Sequence, residues 1–299
     1  MSTATFTAKD VSELRARTGA GMMDCKKALE ENGGDIQKSI DYLRKKGIAK
    51  AEKRVGRAAS EGRIVSLTSP DGRHAVILEL NSETDFVSRN DDFVKLAENL
   101  AQQVMRDSAV NAIVHNGHES PLLAQPWHAD GGSTVGDVVK EASGRTGENI
   151  VLRRFARFSG DGAVGGYVHH NGKFAALVEI GGASTEAAQR LARTIAEHVT
   201  AGVPSIPVAV SREEVSPELV EKERRIFADQ AKASGKPDNI IEKMVTGRID
   251  KYYKEVALLE QPWVRDETKT IRDLLKEAGK EAGAELSVKR FARFQMGEE

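Results

Sequence analysis

The sequence has 299 residues, and its reactive side chains stand at spacings that argue against most chemistries. His115 with His118, and His169 with His170, form close pairs. No cysteine or carboxylate stands beside either pair at metal-ligand spacing, so they read as surface or turn histidines and no metal site is expected. "TGAGMMDCKK" at 18–27 has the glycines and lysines of a phosphate loop. It lacks the spacing of such a loop and follows a helical stripe instead of a strand, so it reads as a helix-breaking turn. Cys25 lies on the apolar stripe of its helix, as packing and not as a nucleophile. No set of residues forms an enzyme's active site, and no cofactor is called for.

Two further patterns bear on binding. "RFARF" occurs at 154–158 and again at 290–294. Stacking on RNA bases from a sheet needs two aromatics on one face. Phe155 and Phe158, like Phe291 and Phe294, are three apart and point to opposite faces. Ile150, Leu152, Ala156 and Phe158 share one parity and are expected to form the core face, with Arg154 interrupting it; Arg153, Phe155 and Arg157 share the other. Between Arg44 and Arg57 seven cations face only Glu52. That run reads as a solvated helix end and linker, with a phosphate- or RNA-binding patch as the competing reading.

The residue that stands out is Phe86 in "NSETDFVSRND" at 81–91. It follows an alternating strand pattern, His74 to Leu80, and precedes a helical stripe of Phe93, Leu96, Ala97, Leu100 and Val104. It continues neither pattern, because Asn90 to Asp92 intervene as an N-cap cluster. One reading folds Phe86 back as a staple on that helix. The other leaves it as an exposed wedge for a partner's pocket, on a polar loop beside Asp85.

The elements that would position these residues follow from size and periodicity. The chain is 32.5 kDa with 39% hydrophobic and 30% charged residues, room for more than one core. No apolar run is long enough for a membrane span. The beginning "MSTATFTAKD" resembles no export or import leader, and one cysteine suits a reducing compartment, so the cytoplasm is the expected location. A net charge of −1 supplies no global field for nucleic acid or membranes.

Residues 1–48 read as a three-helix docking module. Val11 and Leu14 lie on the first helix, Met22, Cys25, Ala28 and Leu29 on the second, and Ile36, Ile40 and Leu43 on a third capped by Asp35. Residues 49–61 read as a basic linker. The chain then repeats itself. A shift of 100 places Gly62 on Gly162, Gly72 on Gly172 and "VILEL" on "ALVEI"; a shift of 136 places "QPW" on "QPW" and "RFARF" on "RFARF".

Each copy is expected to run strand, strand, helix, helix, strand, with hairpin turns at "SPDGR" and "HHNGK". The fold class is α+β: the helical bundle, then two copies of a small antiparallel sheet with helices on one face. The first copy spans 62–160, and the second spans 161–210 and 255–299. An antiparallel helical hairpin at 211–254 interrupts the second, starting at Ser216 and Pro217 and turning at 234–239. Its apolar stripes, Ile241, Met244, Val245, Ile249 and Tyr252 among them, are expected to meet a partner or a second copy of the chain, which leaves a dimer open.

"RTGAGMMDCKKAL" at 17–29, "GDIQKSIDYLRKKG" at 34–47, "TDFV" at 84–87, "SGKP" with "EKMV" and "GR" across 234–248, and the closing 290–298 together resemble bacterial elongation factor Ts. The resemblance spans nearly the whole chain. It implies a guanine nucleotide exchange factor, not an enzyme, that binds the GTPase elongation factor Tu, displaces magnesium and releases GDP. It further implies a ubiquitin-associated-like N-terminal module that docks on the GTPase through Arg17, Thr18, Gly19, Ala20, Gly21, Met22, Met23 and Cys25. Thr84, Asp85, Phe86 and Val87 match the family's magnesium-dislodging element. Tyr167 and His169 match a partner-gripping pair in the second copy. Some members continue past the position of "GEE" into a further helical module, whose contacts do not carry over.

Overall fold

In the computed structural model, which describes residues 6–129, 131–233 and 237–298, three helices open the chain: α1 (Ala8–Thr18), α2 (Met22–Glu31) and α3 (Ile36–Glu52). Thr7 and Asp10 cap α1 reciprocally, and Gly19 ends it at φ 65°, a left-handed conformation that glycine adopts without strain. Leu14, Cys25, Ala28 and Leu29 are fully buried between the helices, the stripes expected from periodicity. Asp35 caps α3 by accepting from the Lys38 amide at 3.0 Å.

The third helix runs further than the expected linker boundary, and the basic run is not a free tether. Ala51 is buried, Arg44 bonds to Ser133, and Arg54 Nη1 donates to the Ser143 carbonyl at 3.2 Å. The chain reaches its first sheet through β1 (Glu61–Thr68) and β2 (His74–Ser82), then passes a short helix α4 (Asp85–Ser88) to α5 (Asp91–Arg106). A two-residue strand β3 (Ile113–Val114), α6 (Val135–Thr146) and β4 (Val151–Ser159) complete the first copy. Gly47 of α3 and Gly144 of α6 let these helices cross backbone to backbone; a Cβ on Gly144 would stand 2.7 Å from the Gly47 Cα.

The second copy repeats the plan with β5 (Ala163–Val168), β6 (Phe174–Gly181) and α7 (Glu186–Ala201), then the inserted α8 (Pro217–Lys232) and α9 (Asp238–Val256). It closes with β7 (Pro262–Trp263), β8 (Asp266–Thr270), α10 (Ile271–Ala282) and β9 (Ser287–Gln295). The main sheets are antiparallel, ordered β1-β2-β4-β3 and β5-β6-β9. Their registers correspond: Ala75 faces Phe158 as Ala175 faces Phe294, and Glu79 faces Arg154 as Glu179 faces Arg290.

One expectation about faces is overturned by a bulge. Leu80 pairs with Leu152 but Glu79 with Arg154, so Arg153 is extra and the alternation inverts there. Leu152 and Phe155 therefore share the core under α5 and α6, while Ala156 and Phe158 point the other way. The other face is not open either. It packs against the sheet of the second copy, burying Ile64, Ile77, Ala156 and Phe158 on Val164, Leu177, Ala292 and Phe294.

The contacts across this seam are reciprocal. The Ile64 amide donates to the Gly172 carbonyl at 2.8 Å and the Val164 amide to the Gly72 carbonyl at 2.7 Å. Arg154 lies over the Phe294 ring at 4.5 Å and Arg290 over the Phe158 ring at 4.1 Å.

The inserted helices pack on each other through Phe227 and Ala231 against Val245 and Ile249, so much of the stripe expected to meet a partner is satisfied internally. Leu219, Ile226 and Ile240 stay exposed. Residues 234–236 of the expected turn lie outside the described residues. Arg212 holds the hairpin base to Glu260, and to Asp250 at 3.2 Å. Among the described residues no helix is long and apolar enough to cross a membrane.

Candidate functional site

The exposed aromatic is built from the backbone upward. Strand β2 ends at Ser82, and the chain must turn before α5 begins. The Glu148 carboxylate makes that turn: it accepts from the Glu83 amide at 3.1 Å, the Thr84 amide at 3.0 Å and the Thr84 hydroxyl. In return, Glu83 accepts from the Asn149 amide at 2.7 Å. Thr84 then opens the one-turn helix Asp85–Ser88 where a loop was expected, and the Ser88 hydroxyl donates back to the Asp85 carbonyl at 3.2 Å.

The short helix sorts its side chains sharply. Ser88 is buried and Val87 packs on the first core, which anchors the inner side. Phe86 points out and is 86% exposed. The staple reading is excluded. Asp85 stands beside it, paired with Arg89 at 2.9 Å in an arrangement open to water. Leaving a phenylalanine in water forgoes roughly 1.5–3 kcal/mol of burial free energy, a cost with no return inside this chain.

The second copy supplies the neighbouring surface. Asp85, Ser88 and Arg89 line a cavity of about 330 Å³ with Glu61, Asn171 and Lys173. Asn171, on the β5–β6 turn, also lines a cavity of about 480 Å³ with Tyr167, His169 and Phe174. Tyr167 Oη lies 3.4 Å from His169 Nδ1, and both rings are half-buried. One turn thus joins Tyr167 and His169 to the flank of the Phe86 helix.

The N-terminal candidates occupy a separate place, the α1–α2 turn. Arg17, Gly19 and Gly21 are exposed there, Thr18 and Ala20 half-buried, and Met22 and Met23 are 46% and 74% exposed. Flexible, polarizable methionines suit an adaptable contact. Cys25 does not belong with them. It is fully buried, its Sγ donates to the Ala20 carbonyl at 3.6 Å, and burial pushes its thiol pKa up. It holds the turn from below, through the Ala20 carbonyl.

A sequence model of the family described as Elongation factor TS matches residues 83–298, beginning at the turn before Phe86. The chain belongs to the elongation factor Ts family. The Elongation factor Ts of Trichlorobacter lovleyi is 42% identical over 98% of this chain and 93% of its own length. That of Prosthecochloris aestuarii is 45% identical over 98% and 99%, and that of Aquifex aeolicus 41% over 97% of each chain. The family is one of translation elongation factors, so Phe86 is an exposed residue of a protein-synthesis factor. Among the described residues no group of three or more His, Cys, Asp or Glu side chains could hold a metal ion.

Sequence reasoning missed Glu148, the residue that braces the turn before Phe86. It lies 64 residues from Thr84. A signal existed: at the same shift that superposes the "RFARF" copies, Glu148 meets Ala284, and the second copy has no helix equivalent to Asp85–Ser88.

Proposed function

We propose that this chain is the guanine nucleotide exchange factor of elongation factor Tu, and that it expels magnesium and GDP by driving Phe86 into an apolar gap of the GTPase while Asp85 disturbs the hydrogen bonds of the magnesium-bound waters. The single observation that carries this reading is an 86%-exposed phenylalanine on a helix braced by Glu148. A ring displayed from a braced backbone is positioned for burial by another protein.

The energetics require more than the wedge. By linkage, the factor weakens nucleotide only as far as nucleotide weakens the factor, and a 10⁴-fold loosening needs about 5.5 kcal/mol of differential binding. One phenylalanine contributes roughly 1.5–3 kcal/mol. In this reading the α1–α2 turn, with Arg17, Met22 and Met23, docks the N-terminal helices on the GTPase. Tyr167 and His169 grip a second region of it, and the two sheet copies hold these contacts at fixed distances. Residues 1–48 serve as the docking module, 62–160 and the interrupted 161–299 as the rigid core.

Stopped-flow release of fluorescent GDP tests the proposal. Phe86→Ala should slow catalysed release about 10- to 100-fold, the range expected if about 1.5–3 kcal/mol of burial is lost from the exchange complex. Its melting temperature should not move, because the ring has no partner in its own fold. Release at the parent rate would remove the wedge from the mechanism. A chain that forms no nucleotide-free complex with the GTPase on gel filtration would remove the function.

A further inference from the structure

The basic run Arg44 to Arg57 gains a different meaning once folded. A solvated helix face would spread its charges outward. Instead Arg44, Lys46, Lys50 and Arg54 line a cavity of about 440 Å³ together with Arg17 from α1 and Arg145 from α6. Only two carboxylates, Asp24 and Glu141, share that lining. The volume falls within the roughly 300–1,000 Å³ typical of small-molecule sites.

The cations converge inside it. Lys46 Nζ and Lys50 Nζ reach the same carboxylate, Asp24, at 2.9 and 3.1 Å. These two bonds hold the Asp24 carboxyl below its usual range. Arg44 and Arg145 reach for Glu141 at 3.9 and 4.0 Å, long for a charge-assisted bond. Arg17 pairs with Glu13 on its own helix at 3.7 Å, and Arg54 bonds a carbonyl. Six cations against Asp24, Glu141 and the Glu13 paired with Arg17 leave a positive surplus in a cleft whose walls focus the field. The α1–α2 turn closes one side with Gly21 as the N-cap of α2, which has no side chain to cap that helix.

We infer that this cleft between the N-terminal helices and α6 binds a compact multiply charged anion, a chain of phosphates either free or attached to a nucleoside. Its recognition elements come from both sides of the α3–α6 crossing, Arg17, Lys46 and Lys50 on one and Arg145 on the other. A bound polyphosphate would bridge the two parts and fix the turn that bears Met22 and Met23. This site is independent of the Phe86 reading, and its failure leaves that reading untouched.

Isothermal titration calorimetry of the full chain with sodium tripolyphosphate tests the site. The expected result is one saturable site per chain, weakened several-fold between about 50 and about 200 mM salt. Lys50→Gln with Arg145→Gln should weaken it at least tenfold, with a thermal melt reporting that the chain remains folded. Lys26→Gln with Lys222→Gln, which removes the same charge elsewhere on the surface, should leave it unchanged. Guanosine or adenosine triphosphate in place of tripolyphosphate separates the sources: equal affinity assigns recognition to the phosphates, tighter binding to a nucleoside as well. No saturation by any of the three below about 1 mM, or equal weakening by both double variants, would overturn the proposal.

Discussion

Between its second strand and its long helix the first copy has eight residues, 83–90, whereas the second copy crosses the same junction with four, 182–185. The surrounding scaffold is duplicated closely. Glu79–Arg154 has its counterpart in Glu179–Arg290, at 2.7 and 2.6 Å. The capping box of Thr134 and Asp137 recurs as Thr270 and Asp273. What the copies share holds the two sheets together; what only one has, the Phe86 helix with Glu148 in the first and the helical hairpin in the second, is free to serve other purposes. A duplicated fold can keep its seam constant and vary its connections, because loops at the surface change without disturbing the core.

Transplanting the connection would break the comparison most severely. Replacing residues 83–90 by Gly-Ala-Ser-Thr, the second copy's junction, should leave a cooperatively unfolding chain. In the proposed exchange reaction GDP release should fall ~100-fold or more, since the wedge and its neighbour Asp85 go together. Unchanged release in the stopped-flow assay would mean the copies are functionally equivalent at this point.

These two ion pairs sharpen the comparison next. Arg154 and Glu79 are 7% and 1% exposed, Arg290 and Glu179 33% and 14%. Arg154→Ala leaves a carboxylate buried without its partner and should cost about 3–5 kcal/mol in urea unfolding. Arg290→Ala should cost about 1 kcal/mol, because water reaches Glu179 more readily. Equal costs would show that the seam is electrostatically symmetric.

A smaller asymmetry lies at the helix crossing. Gly144→Ala places a methyl against the Gly47 backbone and should destabilise by about 1–3 kcal/mol. Gly47→Ala meets only an ordinary 3.8 Å contact, and its better helix propensity should offset the added methyl, leaving the melting midpoint level or raised.

The smallest effect comes from one changed residue in a shared polar network. In the first copy the His128 amide donates to Gln103 Oε1 at 2.9 Å, and Gln103 Nε2 donates to Gln125 Oε1 at 3.2 Å. In the second, the Val264 amide donates to His198 Nδ1 at 3.3 Å, and His198 Nε2 to Gln261 Oε1 at 2.9 Å. An imidazole replaces an amide, and these bonds require it neutral, with Nδ1 unprotonated. Burial lowers the His198 pKa from its ordinary 6.5. The unfolded chain therefore binds a proton that the folded one refuses, and the stability present above pH 6.5 is lost as pH falls through 6.5 toward the depressed folded value. His198→Gln, which copies the first network, should flatten that part of the melting profile in thermal scans from about pH 7.5 to about pH 5.5.

Much of the fold was legible in the residues. Strand alternation and helical stripes placed the main elements, Asn90 and Asp35 marked helix starts, and the failure of Phe86 to join either neighbouring pattern exposed it as unsupported by its own core. The parity of β4 was misread because a bulge at Arg153 leaves no local mark. The linker was misread because its charges look solvated until α6 is set beside them. Cys25 entered the docking set through the family resemblance alone, although its place on the apolar stripe of its helix already marked it as packing.

Residue order and type by themselves pointed to two related α+β units, an appended helical bundle, an inserted hairpin and one phenylalanine that continues neither neighbouring pattern, its burial left open. Those features are local or repetitive, set by backbone periodicity and turn chemistry over a few residues. Tertiary structure alone decided that the two sheets face each other, that Glu148 holds the Phe86 turn with the ring in water, and that the basic run from Arg44 meets Arg17 and Arg145 in one cleft. Each joins residues far apart in the chain, and which of many distant pairs meet depends on how whole sheets and helices pack, a choice made by the summed burial of the core and not by any one segment.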